Sequence, residues 1–430
     1  MKKLTNQIII LSCIVSTISF NCDTKVKKEL PESNSQPSQI TMASVEMNLE
    51  SQSGVLINES AFYTCKSGGN MMSIYSKSSK SDSPHMAYKR SSSDNGKTWS
   101  HPEEVWTERE VGSKWHRRFS MPGFVDPVRD VMLTMQLQCL APTPDPYESA
   151  KYWKIYYALS KNCGKTNYHE GQVITQGEGL NSNHPMPGVW EGKNSAYLGD
   201  KGCIPIRIST GEILVPIQIN LVGSQKRGFF ESAVLIGTWN KDEKLDWQLS
   251  ETVSATSSQS PRGFIEPTLA EMPDGRILMV VRAEGGHKWY CVSGDHGRTW
   301  SNPQVWTYSD GTSLFSPSSM SQLIKHSNSK FYWIGNLLSG IPEGGGNTPR
   351  YPLVIGEVDQ ETLLLIKETL CNIDKRNPHD PERMQLSNFY ARQDRETGEI
   401  VLHLSPWGRD PNLPPYTGSA YLYRLKMTDK

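Results

Sequence analysis

The sequence runs to 430 residues, with 45 Lys+Arg against 45 Asp+Glu and a formal net charge of zero. That balance argues against a nucleic-acid binder, which needs surplus cations to displace counterions from phosphates, and no run of like charge marks a polybasic membrane patch or an acidic tail. Apolar residues make up only 36%, interspersed with 27 prolines and 34 glycines, which excludes a long-helix protein and suits many short strands joined by turns.

The chain opens with Met1-Lys2-Lys3 and an apolar run from Ile8 to Phe20. This run is shorter than the about 20 apolar residues of a bilayer span and has the form of a secretory signal. Residues 1–22 are therefore expected to be a signal of the lipoprotein type, with Cys22 as the lipidated residue. Ordinary cleavage, leaving Cys22 an incidental thiol, is the alternative. Residues 23–45, polar and rich in Ser, Asn, Gln and Lys, read as a disordered tether. Export to the periplasm or cell surface follows, with a lipid anchor as the expected contact with membrane. Residues 46–430 are then one domain.

Six further cysteines, Cys65, Cys139, Cys163, Cys203, Cys291 and Cys371, form no C-x-x-C pair. Export permits disulfides, but the spacing does not pair these residues, and lone buried thiols fit equally well. No metal-ligand cluster is recognisable, and no cofactor is expected.

A short motif recurs beyond the tether. Ser92-Ser93-Asp94-Asn95-Gly96-Lys97-Thr98-Trp99 is matched by Ser293-Gly294-Asp295-His296-Gly297-Arg298-Thr299-Trp300, and a decayed copy runs from Ser160 to Asn167. The pattern suits a hairpin turn: Asp accepts from turn amides, Gly takes positive φ, and Trp packs the hairpin on its neighbour. These residues are structural rather than catalytic. Six β-like runs also recur along the chain: GGNMMSIY from Gly68, RDVMLTMQ from Arg129, GEILVPIQ from Gly211, GRILMVVR from Gly275, SKFYWIG from Ser329 and GEIVLHL from Gly398. Each marks one four-stranded sheet, and radial repetition of such sheets predicts an all-β, six-bladed β-propeller. The blades are longer than simple repeats, the excess being assigned to loops such as 140–149 and 181–201.

The Asp-box hairpins and this repeat together resemble the sialidase (neuraminidase) superfamily, over nearly all of the chain after residue 45. The resemblance is sharpest from Arg262 to Ser301, RGFIEPTLAEMPDGRILMVVRAEGGHKWYCVSGDHGRTWS. It implies that Glu266 is the catalytic glutamate, that Arg282 and Arg350 (in GGGNTPRYPLVIGEV) bind a substrate carboxylate, and that Asp82, ahead of the first Asp box, is the acid/base. Chemistry supports the grouping independently. Two guanidiniums at a propeller mouth make a rigid, always-charged fork for a carboxylate, and a glutamate beside them can take a proton. The alternative is that the arginines are strand-end residues paired with neighbouring carboxylates and that Glu266 is a structural acceptor.

The chain also departs from that family. The place of the F-R-I-P arginine falls near Glu59, and the stretch expected to carry the tyrosine nucleophile reads Gln385-Leu386-Ser387-Asn388-Phe389-Tyr390. A carboxylate-binding pair, an acid and a base are also what β-elimination on a uronic acid requires. Tyr390, His116, His184 and Tyr197 are candidate bases, Arg118 beside Arg117 adds positive charge, and Tyr197 is a further candidate for binding substrate. The expected partner is an acidic oligosaccharide or polysaccharide fragment. The expected activity is degradation of such a glycan at a terminal carboxylated sugar, by elimination (lyase or dehydratase) on a uronic acid residue in preference to sialidase-like exo-hydrolysis. A non-catalytic glycan-binding propeller and a structural scaffold are the competing readings.

Overall fold

The computed structural model describes residues 37–429, except 81–83, 106, 223–227 and 342–345. Each of the six β-like runs folds as the second strand of its own sheet, and the six sheets form a six-bladed propeller. Blade one comprises strands Leu56–Tyr63, Met71–Ser78, Pro84–Ser92 and Glu103–Val105. In blade two, Lys114–Ser120 and Phe124–Asp126 share the innermost place on Val131–Ala141, followed by Trp153–Ser160 and His169–Gln172. Blade three has Ile213–Asn220, Phe230–Trp239 and Leu245–Leu249 outside an interrupted innermost strand. Blade four is Ile265–Glu271, Ile277–Arg282, Lys288–Ser293 and Gln304–Val305, and blade five is Gln322–Lys325, Phe331–Asn336, Leu353–Val358 and Cys371–Asp374. Blade six has Tyr390–Gln393, Ile400–Leu404 and Ala420–Asp429, and its outermost strand is Ser38–Leu49.

That last strand corrects the tether expected over residues 23–45. Ser38 to Leu49 pairs antiparallel along Ala420–Asp429, so the C-terminal strand is not left as an open edge with unpaired amides and carbonyls. Over residues 38–45 the polar composition that suggested disorder belongs to an outermost strand with much of its surface exposed; residues 23–36 lie outside the described residues. The signal sequence and Cys22 lie outside the described residues.

The core lies between blades. Successive apolar clusters join blades two and three around Leu133, Ile155, Val215 and Leu235, and blades five and six around Tyr332, Ile355, Phe389 and Leu402. Burying side chains from facing sheets supplies the main driving force, at about 25 cal/mol per Å² of apolar surface removed from water.

The Asp boxes act as turns. Asp94 accepts from the Thr98 amide at 2.9 Å and from its hydroxyl at 2.6 Å, and Asp295 repeats this with Thr299 at 2.9 and 2.7 Å. In the decayed copy Asn162 takes the Asp position, accepting from the Thr166 amide at 2.9 Å. The residue after the Asp has φ of 63° at Asn95, 59° at Cys163 and 64° at His296. In two of the three boxes it ties its blade to the preceding one. Asn95 donates to Asp394 of blade six at 3.0 Å, and Cys163 forms a disulfide with Cys65 of blade one. The cysteine pairing left open by the spacing is thus settled for these two. Cys139, Cys203 and Cys291 are buried free thiols and Cys371 a partly exposed one.

Candidate active site

Glu266 stands at the start of the innermost strand of blade four, where the pairing register shifts between Ile265 and Thr268. Its φ is 48°, a left-handed conformation that costs a non-glycine residue of order 1–3 kcal/mol and tends to mark functional positions. A bulge of this kind re-aims a side chain at a strand end. Pro267, which has no N–H to contribute to the ladder, follows it.

Arg282 ends the next strand, opposite Ile265 in register, and donates to Glu266 Oε1 at 2.6 Å. Its Nε donates to Ser318 Oγ at 3.1 Å and its Nη2 to Asn347 Oδ1 at 3.1 Å. Arg350 arrives from the loop between the second and third strands of blade five. Its Nη2 donates to the same Asn347 Oδ1 at 3.4 Å and to the Ser318 carbonyl at 3.3 Å, and its Nη1 to Ser387 Oγ at 3.3 Å. The two arginines expected from the sequence therefore converge. Beneath them Lys288, fully buried, donates to the carbonyls of Pro317 and Ser319 at 3.0 and 2.5 Å, which fixes the Ser318 segment that both arginines use.

Burial opposes ionisation of Glu266, but the Arg282 guanidinium, with Arg350 and Arg262 adding to its field, holds the carboxyl below its ordinary range. Its Oε1 is taken by Arg282, while Oε2 is buried without a hydrogen-bond partner among the described residues. One oxygen of an ionised carboxylate is thus left unsatisfied beside two arginines, an unusual cost in a folded protein.

The largest feature missed by sequence reasoning is a loop in blade three. Tyr197 pairs with Gln218 and Ile206 with Leu214, so the innermost strand bulges out between them over residues 198–205. This loop touches every other blade. Lys201 Nζ donates to Asn58 of blade one at 2.9 Å. Asp200 accepts from Asn388 of blade six. Gly199 lies against Glu266 of blade four, and a Cβ on Gly202 would stand 2.7 Å from the Ser321 carbonyl at the edge of blade five. Ile204 packs with Phe62, Met132 and Tyr390 from blades one, two and six. By these contacts the loop crosses the propeller axis, bringing Asp200 within the field of Glu266 and Arg282 and packing Ile204 into the apolar cluster. Burial, reinforced by the Glu266 carboxylate, raises Asp200 to about 6 against the pull of Lys201 and Arg282. Burial likewise lowers Lys201 to about 8, with Asp200 and Glu59 resisting.

The other expected site residues are placed elsewhere or differently. Tyr390 belongs to the apolar plug with Phe62 and Met132, and burial pushes its hydroxyl up to about 12. The residues at Arg350 and Asp200 are instead Ser387 and Asn388, while Leu386 is fully buried in the core. Tyr197 donates its hydroxyl to the Ala150 carbonyl at 2.6 Å and packs edge-on against Phe230, a structural anchor. His116 and Arg118 stand on the strand Lys114–Ser120. Burial lowers His116, with Gln138 hydrogen-bonded to it and Arg109 and Arg118 nearby. His184 stacks on Trp190 at 4.4 Å, its Nδ1 against the Val189 carbonyl. Asp82 lies outside the described residues. Glu59, at the place of the missing arginine, is buried and paired with Arg90 at 2.8 Å, so its charge is already met within the fold. Among the described residues, no group of three or more His, Cys, Asp or Glu side chains is placed to hold a metal.

Residues 49–327 match the BNR repeat-like domain. The chain belongs to the BNR repeat-like family. The propeller is similar in fold to a protein of unknown function from Dyadobacter fermentans (TM-score 0.59, 13% identity, 90% of this chain and 99% of the other). It also resembles NanB sialidase from Streptococcus pneumoniae (0.54, 14%, 89% and 70%) and Trypanosoma rangeli sialidase in complex with the inhibitor DANA (0.52, 13%, 87% and 55%). The match thus spans little more than half of the trypanosomal enzyme. No curated protein sequence matches the chain. At these identities the structural likeness establishes the sialidase-type propeller of this BNR-repeat protein.

Proposed function

We propose that this BNR-repeat propeller is a carbohydrate-active enzyme that acts on a carboxylated sugar within an acidic oligosaccharide, by β-elimination on a uronic acid residue. The observation that carries the reading is the convergence of Arg282 and Arg350 on one oxygen, Asn347 Oδ1, from two different blades. A carboxylate displacing that amide oxygen would meet two guanidiniums at once. Neutralising a uronate carboxylate acidifies the adjacent C5 proton, and the unpartnered Glu266 Oε2 is the base suited to remove it. The blade-six residues that reach Arg350 and Asp200 are Ser387 and Asn388 rather than a tyrosine, which favours elimination over retaining hydrolysis. The fold shared with sialidases favours the second reading, exo-hydrolysis of a sialoside. The Cys65–Cys163 disulfide supports export to an oxidising compartment, consistent with a lipoprotein signal ending at Cys22.

Incubation with 4-O-linked hexuronate disaccharides tests the assignment. Elimination yields a conjugated double bond that absorbs in the ultraviolet, and Glu266→Gln abolishes its appearance. Release of free sialic acid from an α-sialoside, without that absorbance, would falsify elimination in favour of hydrolysis. Binding of these sugars with no turnover of either would leave a glycan-binding propeller.

A further inference from the structure

The loop over residues 198–205 lies outside the Asp boxes and the six β-like runs. We propose that Asp200, carried across the axis on this loop, is the proton donor of the site, working as a pair with Glu266. The inference rests on the reading of the chain as an enzyme that cleaves a bond to a sugar oxygen, and holds for either elimination or hydrolysis, since both need a proton on the leaving oxygen.

Geometry brings the two residues beside each other from different blades. Gly199 lies against Glu266 with its Cβ position 3.4 Å from the Glu266 Cα, its φ of 74° turning the chain there, and Asp200 follows directly. The two carboxyls are then distinguished by their neighbours. Glu266 is bonded at 2.6 Å to a guanidinium. Among the described residues Asp200 has no guanidinium bonded to it; it accepts from Asn388 of blade six and from the Lys201 amide. Two nearby carboxyls with one cation bonded to one of them hold a single proton on the other. The raised Asp200 and lowered Glu266 follow this division.

In the elimination, Glu266 Oε2 takes the C5 proton and the C5–H electron pair becomes the C4–C5 double bond. The C4–O bond breaks with its pair passing to the oxygen, and that oxygen takes the proton from Asp200. The pair enters with its proton on Asp200 and leaves with one on Glu266; transfer between the two carboxyls restores the starting state. The groups facing Asp200 are Glu266 and Arg282 of blade four, Asn388 of blade six and Lys201 on its own loop. Activity should therefore fall as pH rises through about 6, where Asp200 loses its proton.

The test compares two leaving groups in the full-length protein. Asp200→Asn should slow turnover of a 4-O-linked hexuronate disaccharide by about 10²–10⁴-fold. It should slow a 4-deoxy-4-fluoro-hexuronate, whose fluoride leaves without a general acid, by less than about tenfold, and abolish the alkaline limb of the pH profile. Equal slowing of both substrates, as a merely structural role would give, or undiminished turnover of the disaccharide, overturns the proposal. Should the variant not fold, the wild-type profile decides: activity that does not decline above the limb overturns it. If the protein instead hydrolyses an aryl sialoside, the elimination reading fails and Asp200 is judged on an alkyl against an aryl sialoside. If wild type turns over neither class, the enzyme reading fails and the proton-donor assignment with it.

Discussion

Arg282 and Arg350, separated by a blade in sequence, donate to a single oxygen of Asn347, at 3.1 and 3.4 Å. The amide oxygen is a neutral acceptor holding two like charges at a fixed spacing, the geometry needed to receive an anion. Asn347→Ala removes that spacer without removing either charge. It should raise KM for the carboxylated sugar about tenfold with a smaller change in kcat, equivalent to one lost hydrogen bond to a charged group. Steady-state kinetics on the substrate proposed above measure the split.

Glu266, Arg282 and Arg350 were legible because each sits in a strand-end pattern with recognisable neighbours, and the Asp boxes because Asp, Gly and Thr occupy fixed offsets. Asp200 and Lys201 were not legible. GDKGC looks like any polar turn, and only the jump from the Tyr197–Gln218 to the Ile206–Leu214 pair shows a strand broken to send a loop across the axis. Asn347 and Asn388 are ordinary loop residues until their partners are seen. Tyr390 could not be judged from sequence because its place in the stretch from Gln385 says nothing about the apolar cluster that surrounds its ring. The strand at residues 38–49 was missed because an outermost strand needs little hydrophobic alternation when its pairing partner supplies the register.

Glu59 should behave as a structural anion. Burial opposes its charge, but His403, Arg90 and Ser73 outweigh this and hold it far below the ordinary carboxylate range. A depressed folded-state value stabilises the protein at pH above the unfolded value near 4.5, and the benefit is lost as pH falls through the folded one. Glu59→Leu strands Arg90 and should cost about 3–5 kcal/mol at neutral pH. The loss should shrink under acid, read from urea midpoints at two pH values. Glu59→Arg should not restore a third carboxylate-binding arginine, because it places a second cation against Arg90.

The Cys65–Cys163 bridge closes a segment spanning 98 positions between blades one and two. Its removal should lower stability by about 2–4 kcal/mol. A melt in the presence of reductant, and of the Cys65→Ser, Cys163→Ser pair, should show the same lowered midpoint. Asn95→Ala tests the equivalent tie between blades one and six. It strips the Asp394 bond and the bond accepted from Tyr63 at 2.6 Å, at a cost of about 1–3 kcal/mol. Reduction should add to this loss, since the two ties join different blade pairs.

Closure of the ring depends on the strand Ser38–Leu49. A protein beginning at residue 50 exposes Ala420–Asp429 as an unpaired edge, which templates association with other chains. It should be insoluble or migrate as higher oligomers on size exclusion, whereas one beginning at residue 37 should remain monodisperse. If the shorter form is equally monodisperse and melts at the same temperature, the strand is not what holds the sixth blade.

Asp200 makes a prediction about stability opposite in sign to that for Glu59. Its folded-state value is raised to about 6 from an ordinary 3.8, so the folded protein resists the ionisation that the unfolded chain accepts. Below the unfolded value both states are protonated and nothing is lost. As pH rises from there through about 6, the unfolded state ionises first and the folded state bears a growing cost. Asp200→Asn does not ionise, so its stability relative to wild type should grow across this window, by on the order of 1–3 kcal/mol, and level off above it. Chemical denaturation at pH 4 and pH 7.5 for both proteins gives the difference directly. A gain in stability at neutral pH alongside a loss of turnover is the pattern of a carboxyl kept in a costly place for its chemistry. A difference that does not change with pH would show that Asp200 carries no proton the fold has to manage, and would remove the physical basis for its role as donor.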